Sequence, residues 1–367
     1  RDDWQWLEFR RVLFRSVINM SHSQISLKTS WGDTIYGNAW TIETPIANIV
    51  IAHGMGEYSY RYNEFANYLN SLGYNVYAVD QPGHGLNVTV PETPVLGLGV
   101  WPDNGFKLAC SYLYELITQV RLSMKPVILF GHSMGSFVSQ RYYQRFNATI
   151  DGLILCGSSY NNLTFKASRK LVRIMGTFVK GDRRLRPSNF FANMQTKSFN
   201  KGFKNYSDGY KTKNKWLSAN EENVKAFDAD PLCGFACSFN FYYNLFNGLK
   251  PTFQKRRVLD ITHKVKILLI AGDKDPVGSK GKGVLKLEKF YKEAGQDVKA
   301  ILYKGLRHEI LNEDEESKQK IYKDIAAFIP ECIAKAKEEA QLEEHKKAKY
   351  YQRFNATIDG LILCGSS

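Results

Sequence analysis

The sequence predicts an α/β protein with a mostly parallel central sheet flanked by helices and one helical insertion late in the sheet. Two patterns and one interruption carry that expectation. Short runs rich in β-branched residues recur at 47–52, 74–79, 126–130, 153–156, 266–271 and 298–303. They are almost continuously apolar, as strands buried on both faces of a parallel sheet are. Helical stretches at 61–72, 104–122, 134–146, 282–294 and 316–328 separate them, the last with Ile321, Ile325 and Phe328 on one face. Strand alternating with helix is the α/β pattern. The alternation fails once, between Cys156 and Lys266. Ahead of it all, alternating residues at 24–29 and 34–41 flank the turn Trp31-Gly32-Asp33 and predict an antiparallel hairpin.

Composition narrows the class. Of 367 residues, 44% are hydrophobic and 13% aromatic, too many for a disordered or fibrous chain. The length fits two domains, or one large α/β domain carrying an insertion. The formal charge is +14, and between residues 160 and 250 there are 16 Lys and Arg against 6 Asp and Glu, so the insertion holds most of the surplus. Cys110, Cys156, Cys233, Cys237, Cys332 and Cys364 lie mostly in apolar runs without a C-x2-C pair, which argues against a disulfide scaffold or zinc knuckle. Reduced thiols in a cytoplasmic protein are expected. No apolar run reaches the roughly 18 residues that span a bilayer, and no export signal is recognisable.

The two ends stand apart. Residues 350–367 repeat 142–159 letter for letter, whereas structural repeats diverge and recur at a regular period. We expect 350–367 to be an artefactual duplicate. Residues 7–16, LEFRRVLFRS, resemble a translated sequencing adapter, so 1–19 is expected to be a non-native extension before Met20. The expected organisation is a core at 20–159 and 258–330, an inserted cap at 160–257 and a solvated tail at 331–349.

Within the cap, Leu171, Ile174, Met175, Phe178 and Val179 follow helical spacing, offset from Arg169, Lys170, Arg173 and Lys180. Phe235, Phe239, Tyr242, Tyr243 and Phe246 form a second stripe. Both stripes are expected to form the cap's own core, with the lining of a ligand pocket as the alternative.

Chemistry concentrates in a few loops. Gly131-His132-Ser133-Met134-Gly135 follows one predicted strand and opens a helix, the setting of a nucleophile elbow. A serine forced into a sharp strand-to-helix turn needs glycines two residues before and after it, and the first helical N–H groups then face whatever it attacks. The hydroxyl becomes nucleophilic only when a base takes its proton, usually a histidine oriented by a carboxylate. Of seven histidines, two follow the last predicted strand, His345 in the solvated tail and His308 in the loop directly after the strand, and His308 completes the order Ser, Asp, His. The acid should follow the strand 266–271, where Asp273 and Asp275 compete. We expect Asp275, because Asp273 at the turn suits hydrogen bonding to its own backbone. The oxyanion needs two N–H donors. Met134 should supply one, and Met55, between Gly54 and Gly56 in His53-Gly54-Met55-Gly56, the other. The segment Asp80-Gln81-Pro82-Gly83-His84-Gly85 is expected to shape the site floor.

HGMGEYSYRY, DQPGHG, GHSMGS, GDKDPV and RHEILNE, in this order, resemble the monoacylglycerol lipase and lysophospholipase branch of the α/β-hydrolases, the serine aminopeptidase-type hydrolases. The resemblance covers about residues 24–330, and the cap segment NEENVKAFDADPLCGF is similar to caps of bacterial members. It implies Ser133 as nucleophile, Asp275 as acid, His308 as base, and Met55 and Met134 as oxyanion donors. The expected activity is cleavage of a carboxylic ester with a medium or long acyl chain, such as a monoacylglycerol or lysophospholipid, with neither metal nor organic cofactor. The basic cap suggests peripheral contact with an anionic lipid surface. Alternatives are a small-ester carboxylesterase, an aminopeptidase of the same fold, and a binding protein without catalysis. No nucleic-acid module is recognisable.

Overall fold

The computed structural model describes residues 20–90, 97–161, 163–206 and 209–364, with side chains through Tyr350. The segments 1–19 and 365–367, with the expectations that fall on them, lie outside the described residues.

Eight strands form one sheet: β1 (Ser21–Lys28), β2 (Thr34–Thr41), β3 (Ala47–Ala52), β4 (Tyr74–Val79), β5 (Val127–His132), β6 (Gly152–Cys156), β7 (Lys266–Gly272) and β8 (Asp297–Tyr303). Their spatial order is β1-β2-β4-β3-β5-β6-β7-β8. The opening hairpin β1–β2 is antiparallel and joins β4 antiparallel, and every other neighbouring pair is parallel. This is the α/β-hydrolase arrangement, a mostly parallel sheet flanked by helices.

The helices are α1 (Asn63–Ser71), α2 (Leu86–Thr89), α3 (Gly105–Arg121), α4 (Met134–Phe146), α5 (Leu163–Met175), α6 (Asn189–Phe199), α7 (Glu221–Ala229), α8 (Phe239–Thr252), α9 (Lys255–Leu259), α10 (Lys282–Glu293) and α11 (Glu315–Cys364). Successive side chains on a strand point to opposite faces, and here both faces are covered. Val50, Leu129, Leu153 and Leu269 face one core with Leu113 of α3, Val138 of α4 and Leu287 of α10. Ile49, Ile51, Ile128, Phe130 and Leu268 face the other, with Phe65 of α1 and Ile321, Ile325 and Phe328 of α11.

Helices α5–α9 lie between β6 and β7. Val172, Phe191, Phe239 and Tyr242 extend the first core into this region. Of the aromatic stripe, Phe239 and Tyr242 are buried and Phe235, Tyr243 and Phe246 half-buried against the core, while Tyr242 and Phe246 also line a cavity. The basic stripe divides further, with Leu171, Met175 and Val179 packed on the core. Helix α5 ends at Met175, and Ile174 and Phe178 are 51% and 75% exposed, whereas Val172 is fully buried. The chain leaves helical geometry before Phe178, so the assumed spacing stops applying there.

Helix α11 also departs from expectation, running past residue 328 through the segment expected to be a solvated tail. That segment, 331–349, is helical, with most of its outer half exposed. Residues 142–156 fold as the end of α4, a short 3-10 turn and β6, yet their repeat through residue 364 continues α11. Tertiary surroundings override local propensity there.

Candidate active site

The parallel strands end on one rim, and the sequence-predicted residues gather there: Met55 after β3, Ser133 after β5, Asp275 after β7 and His308 after β8. Ser133 has φ 51° and ψ −119°, a conformation non-glycine residues rarely hold, costing about 1–3 kcal/mol. The flanking glycines explain how the turn closes. A Cβ on Gly135 would lie 2.0 Å from the Ala52 carbonyl oxygen, and one on Gly131 2.5 Å from Ser139 Oγ. The turn is pinned by the Ser133 N–H donating to the Cys156 carbonyl at 2.9 Å.

His308 and Asp275 are buried at 1% and 0% exposure, with Nδ1 3.0 Å from Oδ1. The contact has the distance of a hydrogen bond without its directionality. Val277 N–H donates to the same Oδ1 at 2.8 Å. Asp273 Oδ1 instead accepts from Gly305 N–H at 2.7 Å, so it ties two loops together rather than bonding its own turn as expected. The His308 ring lies 4.9 Å from those of His132 and Trp216. It also packs on Gly157, where a Cβ would meet His308 Cε1 at 2.9 Å. His308 Nε2 has no hydrogen-bond partner among the described residues.

The amides beside Met55 are both engaged. Gly54 N–H donates to Glu57 Oε1 at 2.6 Å and Gly56 N–H to His84 Nε2 at 3.2 Å. Among the described residues, no acceptor takes the Met55 or Met134 N–H. Gly54, Met55, Ser133, Met134 and His308 line one cavity of about 700 Å³. Most of its remaining wall is apolar, including Phe137, Leu171, Phe199, Trp216, Leu245 and Phe246.

Sequence reasoning missed a buried charge network behind these residues. Glu57 Oε1 accepts from Gly54 N–H, Tyr62 OH (2.9 Å) and His132 Nδ1 (2.9 Å). Arg61 bridges Glu57 at 3.0 Å and clasps Glu309 at 2.7 and 2.9 Å, and Asn223 of α7 also donates to Glu309 at 2.8 Å. Burial pushes the Glu57 carboxyl up, but the hydrogen bond and charge of His132, then the charge of Arg61, hold it well below the usual carboxylate range. Burial lowers His132, yet the Glu57 contact leaves it above its usual value. The signal was present as Glu57, Arg61 and Glu309 inside the quoted motifs, but Arg61 and Glu309 are 248 residues apart.

The segment 80–85, expected to shape the site floor, does not line the cavity itself but braces the loop beside it. Asp80 accepts from Ser59 N–H (2.7 Å) and Leu86 N–H (2.8 Å), and His84 reaches back to the Met55 loop.

The family model described as "Serine aminopeptidase, S33" matches residues 43–315. The chain belongs to this family. A monoacylglycerol lipase of Mycolicibacterium smegmatis is 23% identical over 323 residues, covering 85% of this chain and 99% of the relative. The phospholipase YtpA of Bacillus subtilis is 25% identical over 310 residues, covering 80% and 99%. Among solved structures, a thermostable carboxyl esterase from Bacillus coagulans, in complex with glycerol, superposes with a TM-score of 0.74 at 26% identity, covering 86% of this chain and all of that one. No described helix is long and apolar enough to cross a membrane.

Burial, then the charge of His53, depresses His84 to about 3. Its neutral ring accepts from Gly56 through Nε2, and Nδ1 sits 2.9 Å from the Pro82 carbonyl. An unfolded histidine protonates near 6.5, so below that pH the unfolded state binds the extra proton and stability falls as pH falls. The slope contributed by this group approaches about 1.4 kcal/mol per pH unit. Urea midpoints should drop for the wild type between about pH 6.5 and 5, and drop less for His84→Gln. Parallel curves would contradict this assignment.

Proposed function

We propose that this carboxylic-ester hydrolase cleaves esters of single-chain lipids, monoacylglycerols or lysophospholipids, through an acyl-enzyme on Ser133. The observation that carries the reading is that Met55, Ser133, Met134 and His308 line one largely apolar cavity. In the proposed reaction Ser133 Oγ attacks the ester carbonyl while His308 Nε2 takes its proton and Asp275 steadies the imidazolium at Nδ1. The developing oxyanion is received by the Met55 and Met134 amides. The protonated His308 then delivers its proton to the departing alcohol. Water enters, His308 removes its proton, and the hydroxide attacks the acyl carbonyl. The fatty acid leaves and Ser133 regains its proton.

Two features favour an ester over a peptide with a free amino terminus. An aminopeptidase site needs a carboxylate for the substrate ammonium, but Glu57 and Glu309, the carboxylates lining the cavity, are already paired with Arg61. The apolar lining supplies acyl contacts instead, as lipid sites do.

The cap surface supports peripheral contact with an anionic lipid interface. Leu163, Phe178 and Phe190 are 82%, 75% and 54% exposed, and Lys166, Lys170, Arg173, Lys180 and Arg183, from the same stretch of chain, are exposed as well. Exposed apolar side chains together with cations suit such an interface. Lys170→Ser with Arg173→Ser should reduce sedimentation with anionic vesicles and leave the weaker binding to zwitterionic vesicles unchanged. Equal loss on both would argue against an electrostatic contribution.

Ser133→Ala should keep the circular dichroism spectrum and lose kcat by about 10⁴-fold or more. The assay is a panel of nitrophenyl esters of increasing chain length, monoacylglycerol, lysophospholipid and an amino-acyl anilide. Retained ester cleavage would refute the nucleophile. An optimum at acetyl or butyryl would favour a small-ester carboxylesterase, and preference for the anilide an aminopeptidase.

A further inference from the structure

Beside the apolar cavity lies a second lobe of about 460 Å³, and Thr164, Phe165, Ser198, Phe199 and Val277 line both. The lobe's outer wall has a different character. Lys201, in the turn after α6, and Lys280, in the loop between β7 and α10, both line it. Lys280 Nζ lies 4.0 Å from where a Cβ on Gly202 would sit, so the two segments face each other across the lobe. Among the described residues, no Asp or Glu lines the lobe. Like charges gathered on one open cavity repel, and an anion placed between them removes that cost.

The position of Lys280 is also constrained. Ser279, Lys280 and Gly281 hold successive positive φ values of 52°, 55° and 80°, a run that side chains other than glycine disfavour. The Lys280 N–H donates to the Asp275 carbonyl at 2.8 Å. The lysine is therefore tied to the residue whose carboxylate faces His308.

We infer that this lobe is the leaving-group subsite for an anionic, phosphate-bearing glycerol head, with Lys201 and Lys280 contacting the phosphate. The inference rests on the Ser133 reading and deepens it, because it selects the phosphorylated single-chain ester over the neutral monoacylglycerol. With the acyl chain in the apolar chamber and the ester at Ser133, the alcohol portion needs a continuous polar space. Thr164 and Ser198 line both cavities, and their hydroxyls suit the glycerol. An ammonium pair supplies point charges to phosphate without demanding the planar geometry of a guanidinium.

The test uses monomeric substrates, 1-octanoylglycerol 3-phosphate and 1-octanoylglycerol, below their aggregation range, so attraction to a charged interface does not contribute. The readout is the ratio of kcat/KM for the phosphorylated ester to that for the neutral one. In the full chain carrying Lys201→Ala and Lys280→Ala this ratio should fall by about tenfold or more, mainly through KM. Lys201→Arg with Lys280→Arg should restore most of it. An unchanged ratio in the alanine variant overturns the proposal. Glycerol 3-phosphate should inhibit nitrophenyl-ester cleavage more strongly than inorganic phosphate in the wild type, and the preference should vanish in the alanine variant. Equal inhibition of the wild type by both would overturn the leaving-group assignment and mark a plain anion site. Failure of the parent reading has its own signature, ester cleavage surviving in Ser133→Ala, whichever way the ratio moves.

Discussion

The rim of the sheet is organised by the close descent of α4 onto the end of β3. That approach requires hydrogen at two places, Gly131 and Gly135, because a Cβ on Gly135 would strike the Ala52 and His53 carbonyl oxygens. Once the helix is seated, Ser133 has no choice but its positive φ, and Met134 begins the helix at the cavity wall. The strain at one residue is small beside the buried strands β3 and β5 that enforce it. Local discomfort is thus the price of placing a hydroxyl and an amide together.

Glu57 couples that turn to the loop after β3. One carboxylate oxygen receives the Gly54 amide, the His132 ring and the Tyr62 hydroxyl, so the chain on both sides of the cavity is held by a single atom. Burying such a carboxylate is unfavourable unless it is well paired, and His132 and Arg61 provide the pairing. Arg61 then carries the network to Glu309, beside His308, and to Asn223 of α7. The residues that shape the cavity floor and the helices that roof it are linked through one guanidinium. Its stacking over Phe227 at 4.9 Å adds an apolar contact to the polar ones.

Much of the fold was legible in the sequence for a physical reason. Strands buried on both faces leave an uninterrupted apolar run, and β3 and β4 span the predicted residues without adjustment. Strand β5 continues two residues beyond its apolar run, through Gly131 and His132, because Ala52 and Cys156 on the neighbouring strands pair with them. The chain order of Ser, Asp and His was likewise readable, since each sits just after a strand. Asp275 was preferred to Asp273 from the sequence, but the reason differs: Asp275 faces His308, and Asp273 is held by the Gly305 amide rather than by its own turn. The cap was least legible. Its apolar residues serve three purposes, core at Val172, cavity wall at Leu171 and exposed surface at Phe178, and periodicity alone does not separate them. The Glu57 network was hidden because a charged side chain reads as solvent-facing until its distant partners are known.

The most direct test of the account is covalent trapping with a fluorophosphonate, followed by intact mass and peptide mapping. The reagent reports a hydroxyl activated by a neighbouring base. The account predicts a single adduct on Ser133, absent in Ser133→Ala and formed far more slowly in His308→Ala and Asp275→Asn. An adduct on a different residue, or a labelling rate indifferent to His308, would contradict it.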